Sequence, residues 1–89
     1  MIKKAYSVYD KKALMFTAPF YMVTEAQAVR AFSNMVNSSG NDIHSNPEDF
    51  TLMHVGDFDD TTGQFETDLT HPNQVSVGIE LVKREELNK

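Results

Sequence analysis

The chain has no cysteine and no tryptophan, and only four glycines and three prolines in 89 residues. Without cysteine there is no disulfide, no thiolate metal ligand and no thiol nucleophile, and the redox compartment stays open. Few Gly and Pro, with 40% apolar residues, exclude a low-complexity chain and favour a folded one. No apolar run approaches the roughly 20 residues that span a bilayer. The stretch Met1–Asp10 is charged and unlike a secretory leader, so no membrane partner is expected. Basic residues are also scarce: eight Lys and Arg stand against 13 Asp and Glu, a net charge of −5. That balance is uneven, at +2 over residues 1–45 and −7 over residues 46–89. Affinity for phosphates comes from Lys and Arg releasing counterions, so the whole chain is a poor non-specific DNA binder. A local basic surface near the N-terminus remains open. The acidic half reads as a solvated surface or as a surface for a basic protein.

What remains is enough for one domain, residues 1–89, with a thin core and a polar tail at 84–89. Ile2 to Tyr9 reads as a strand with Ile2, Tyr6 and Val8 on one face. Ala13 to Phe16 reads as a short partner that Thr17–Phe20 ends, because Pro19 cannot donate to a ladder. Residues 24–37 read as a helix. Thr24 and Gln27 have capping-box spacing, and Ala28, Val29, Phe32, Met35 and Val36 form one apolar stripe. Ser45 and Glu48 suggest one more helical turn, leading into a strand from Phe50 to Phe58. In that strand Phe50, Leu52 and Phe58 share one parity, and Met53 and Val55 the other. Asp59–Gly63 reads as a hairpin turn, Gln64–Glu66 as a returning strand and Asp68–Asn73 as a loop. Val75, Val77, Ile79 and Leu81 alternate as a half-buried strand. The expected fold class is α+β, a small antiparallel sheet of about four strands with one packed helix.

Candidate chemistry is sparse. Asp57, Asp59 and Asp60 invite a calcium reading. Counted from Asp57, however, the sixth position is Thr62, with Gly63 one place late, and the twelfth is Asp68. A hairpin turn explains these residues better. His44, His54 and His71 share no ligand spacing, so no metal is assigned; His54 reads as partly buried, and His44 and His71 as solvated loop residues. There is no Gly-rich phosphate loop and no nucleophile elbow, so the chain is read as non-enzymatic, with no catalytic residue and no cofactor. Lys3, Lys4, Lys11 and Lys12 with Phe16, Phe20 and Tyr21 interleave cations and rings, as single-strand binders do. The plainer alternative places Phe16 and Phe20 in the core.

The series Y-S-V-Y-D-K-K-A (Tyr6–Ala13), F-T-A-P-F (Phe16–Phe20), E-A-Q-A-V-R-A-F-S (Glu25–Ser33) and N-P-E-D-F-T-L-M-H-V-G-D-F-D-D-T-T-G (Asn46–Gly63) resembles the small nonstructural protein of gokushovirus-type microviruses, circular single-stranded DNA phages. The resemblance implies a non-capsid, non-enzymatic protein made in the cytoplasm of the bacterial host. It also implies a role in the synthesis or packaging of single-stranded genomes. It brings no established site residues, but it favours Lys3, Lys4, Lys11, Lys12, Phe16, Phe20 and Tyr21 as a single-stranded DNA contact. The alternative is an adaptor without nucleic-acid affinity. Such an adaptor would use Asp57, Asp59 and Asp60 to meet a phage or host replication protein, and a homodimer would cover an open sheet face.

Overall fold

The computed structural model describes residues 1–83; the polar tail expected at 84–89 lies outside them. In chain order the elements are β1 (Ile2–Asp10), β2 (Met15–Phe16), β3 (Phe20–Met22), helix α1 (Glu25–Val36) and the one-turn helix α2 (Asp42–Ser45). They continue through a 3-10 turn (Pro47–Asp49), β4 (Phe50–Asp59), β5 (Gln64–Glu66), β6 (Asn73–Val77) and a 3-10 turn (Gly78–Leu81).

The fold is α+β, but the antiparallel sheet has six strands rather than about four. The cause lies at the edges. β1 and β4 pair along their whole lengths and form the centre. Beyond β1, one rib is divided into β2 and β3 by Thr17–Pro19; beyond β4, another is divided into β5 and β6 by residues 67–72. The sheet is therefore four ribs wide, with each outer rib broken once. Strand β3 is where sequence alternation said least, because only three residues pair before the chain turns into the helix.

Thr24 caps α1 as its spacing predicts. Its hydroxyl accepts the Gln27 N–H at 3.3 Å, and the Gln27 side chain accepts the Thr24 N–H at 3.2 Å. The buried side of α1, Ala28, Phe32 and Val36, packs on Tyr6, Val8, Phe50 and Leu52. Fully burying a side chain such as Phe32 or Leu52 contributes about 1.5–3 kcal/mol, so this single layer carries most of the stability. The turn expected at Ser45–Glu48 falls instead as α2, capped by Asn41, followed by the Pro47–Asp49 turn. The strand expected through Leu81 stops at Val77. Gly78 lies so close to the Pro47 carbonyl that the chain leaves the sheet there and coils under the helix end. Asn37 fixes that segment: its side-chain NH2 donates to the Leu81 carbonyl at 3.0 Å, and its side-chain oxygen accepts the Lys83 N–H at 2.9 Å.

One irregularity decides which side chains of β4 share a face. Tyr6 pairs with His54 but Ala5 pairs with Gly56, which leaves Val55 as an extra residue in β4. A bulge of this kind exchanges the two faces of the strand beyond it. Phe50 and Leu52, of one parity in sequence, both face the helix, but Phe58, of the same parity, emerges on the opposite face, across from Lys3.

Candidate functional site

α1 covers one face of the sheet, and no helix covers the other among the described residues. On the open face the register places Lys3, Ala5, Ser7 and Tyr9 of β1, Phe16 of β2, Tyr21 of β3, Gly56 and Phe58 of β4, and Phe65 of β5. The rings form two groups. Tyr9 and Phe16 have centroids 4.7 Å apart. Phe58 lies 4.9 Å from Phe65 and 5.9 Å from Tyr21. Along β1 the groups are four residues apart, roughly 14 Å at about 3.4 Å per residue. Thr17 lies over the strand between them, where its hydroxyl accepts the Val8 N–H at 3.0 Å and its carbonyl accepts the Ser7 hydroxyl at 2.7 Å. These rings are not core: Phe65 is 63% exposed, Phe16 45% and Tyr21 40%.

Charge divides between the two faces. Every carboxylate borne by a described strand, Asp10, Asp57, Asp59 and Glu66, falls by register on the helix side. The open face carries Lys3 and no strand carboxylate. At the margin of this face the Asp60 carboxylate of the hairpin lies 3.5 Å from the Lys3 ammonium.

The residues singled out from sequence separate accordingly. Lys3, Phe16 and Tyr21 share the open face. Phe20 turns to the helix side, where its ring stacks on Tyr6 at 6.1 Å, and Lys4 lies on that side opposite Asp57. Lys11 is exposed in the turn after β1, with its N–H bound to the Asp49 carbonyl. Lys12 lines a recess of about 200 Å³ with Asp10, Asp42 and Asp49. Tyr9, Phe58 and Phe65 were missed. Strand parity would have revealed Tyr9, but Phe58 only once the bulge was known.

In the acidic hairpin, Asp59 accepts the Thr61 N–H at 2.9 Å and closes the turn. Asp60 accepts the N-terminal amine at 2.6 Å and lies 3.5 Å from the Lys3 ammonium, contacts that hold its carboxyl below the usual range. Asp57 accepts from His54 at 3.0 Å. Each of these aspartates thus has a partner within the fold.

His54 is partly buried, as expected. His71 is not the solvated loop residue that its sequence suggested: its side chain is 13% exposed and its Nε2 lies 3.1 Å from Nδ1 of His54. His44 is exposed, with Nδ1 2.9 Å from the Val36 carbonyl oxygen. Among the described residues no group of three or more His, Asp or Glu is placed to hold a metal. Nor is any helix there long and apolar enough to cross a membrane.

A model of the Phage ORF5 protein family matches residues 3–81, which include α1 and all of the sheet but Ile2. The chain is 36% identical over 64 residues to Protein ORF5 of Chlamydia phage 1, covering 67% of each chain. No solved structure matches it.

Proposed function

The chain belongs to the phage ORF5 protein family, in keeping with its resemblance to the small nonstructural proteins of gokushovirus-type microviruses, and from that premise we propose that it acts in viral single-stranded DNA synthesis or packaging by holding unpaired bases against its open sheet face. The observation that carries this reading is the segregation of that face: Tyr9, Phe16, Tyr21, Phe58 and Phe65 with Lys3, and no strand carboxylate. Rings on an uncovered sheet face suit unstacked bases, which each gain about 1–3 kcal/mol by stacking on an aromatic side chain. A duplex offers no such faces, so single strands are preferred. The role is one of binding and requires no catalytic group.

Lysines near the face are few, so stacking dominates and phosphate attraction is secondary. For single strands the logarithm of affinity falls with the logarithm of salt at about 0.7 per phosphate neutralised. Contacts by Lys3 and by Lys11 alone give a slope of about −1.4 by that rule, which is shallow for a nucleic-acid binder. Fluorescence-anisotropy titrations against single- and double-stranded oligonucleotides at low and moderate salt test the reading. The expected result is binding of single strands with shallow salt dependence and little binding of duplex. Absence of single-strand binding at low salt overturns it and moves the role to contact with a replication protein.

A further inference from the structure

The histidines on the helix side form a continuous chain with two carboxylates. His54 Nε2 lies 3.0 Å from Asp57 Oδ1, His54 Nδ1 lies 3.1 Å from His71 Nε2, and His71 Nδ1 lies 3.0 Å from Asp68 Oδ1. The chain ties the connection between β5 and β6 to β4 beside the Val55 bulge. Thr70 steadies its outer end, with N–H and hydroxyl both donating to Asp68.

The number of ring protons decides whether every link can form. Ionised carboxylates only accept, so each outer ring nitrogen must carry a proton. The contact between the rings needs a single proton, shared by two nitrogens. Three links therefore need three ring protons, whereas two neutral imidazoles carry two and two imidazolium ions carry four. With two, one link is left without a donor; with four, two N–H groups face each other at 3.1 Å.

We propose that Asp57, His54, His71 and Asp68 form a one-proton clasp, which binds a single proton beyond the neutral pair and closes the 67–72 connection onto β4 only in that state. The clasp is independent of any nucleic-acid contact. In its closed state it carries two carboxylates and one imidazolium. The surrounding charges largely balance. Lys4, the β1 partner of Asp57, opposes the added proton, and Glu66, its β5 partner, favours it. Tyr6 packs its ring 5.2 Å from that of His54, and the charge of Glu25 at the start of α1 acts on Tyr6. Asn73, the β6 partner of His54, is neutral.

Side-chain 15N NMR of the two histidines across pH, with amide exchange at Thr70 and His71, tests the clasp on the unmodified protein. The expected result is a coupled titration of the two rings in two steps, as for interacting sites. Protection of the two amides, corrected for intrinsic rates, should rise and then fall across those steps. In His71→Gln, His54 should titrate in one step and the maximum should disappear. Independent titration of the rings, or protection that changes in one direction only, overturns the proposal. The wild-type titration decides the matter by itself, so a variant that fails to fold does not leave the question open.

Discussion

Lys3 and Phe58 face each other across β1 and β4, on the side of the sheet that carries no strand carboxylate. A cation and a half-buried ring at one register position form the smallest unit of a single-strand site: the ammonium meets a phosphate while the open side of the ring takes a base. Replacing Phe58 by Ala should weaken single-strand binding by about 1–3 kcal/mol, roughly five- to 150-fold, and Phe65→Ala should act similarly. Titration of each variant, with circular dichroism to confirm folding, checks both.

The lysines should not be equivalent. Lys3 meets a phosphate only by exchanging Asp60, 3.5 Å from its ammonium, so Lys3→Ala should reduce the salt slope by at most about 0.7, the share of one phosphate contact on a single strand. Lys4 lies opposite Asp57 on the helix side and Lys12 among Asp10, Asp42 and Asp49, so Lys4→Ala and Lys12→Ala should leave both slope and affinity nearly unchanged. Equal losses from all three would contradict the segregation of the faces.

The Tyr6 hydroxyl is buried with no hydrogen-bond partner among the described residues. Burial, then the charges of Glu25 and Asp57, push its pKa up to about 12. An unsatisfied buried polar group costs about 1–3 kcal/mol, so Tyr6→Phe should raise the midpoint of chemical denaturation rather than lower it. The sign with pH is fixed as well. The folded value exceeds the ordinary value of 10.0. The contribution is therefore complete below pH 10 and is lost as the pH rises toward about 12. Tyr6→Phe should thus also flatten the alkaline limb of the stability curve.

Asp68 behaves in the opposite sense. Hydrogen bonds from the Thr70 hydroxyl and N–H, then from His71, hold its carboxyl at about 2, below the ordinary 3.8. A depressed carboxyl contributes stability above its unfolded value and loses it as the pH falls toward the folded one, here between about 4 and 2. Denaturation of Asp68→Asn and wild type across that window should show their difference shrinking as the solution is acidified.

Gly78 has no room for a side chain. A Cβ there would meet the Pro47 carbonyl oxygen well inside van der Waals distance, with the Phe50 carbonyl oxygen at 3.3 Å. Both contacts are backbone, which cannot turn away. Gly78→Ala should therefore destabilise by about 1–3 kcal/mol, the usual cost of overpacking, measured as a shift of the denaturation midpoint at constant slope.

Local rules determined a good deal of this protein from sequence alone. The capping box at Thr24 and Gln27, the apolar stripe of α1, the alternation of β1 and the glycine turn closing β4 onto β5 each depend on neighbours a few residues away. The division of the outer ribs was hidden. The two- and three-residue strands β2 and β3 are too short to show a period, and they exist because β1 offers them an edge. The bulge at Val55 was hidden too, since it arises from how β4 meets β1. It alone moved Phe58 from the helix side to the open face, and with it the centre of the candidate site. His54 and His71, 17 residues apart, became one chain only when the 67–72 connection folded back beside β4. Period and caps are properties of a segment. Register, the exposure of a face and the meeting of distant polar groups depend on which backbones pair, and that was decided only by the tertiary structure.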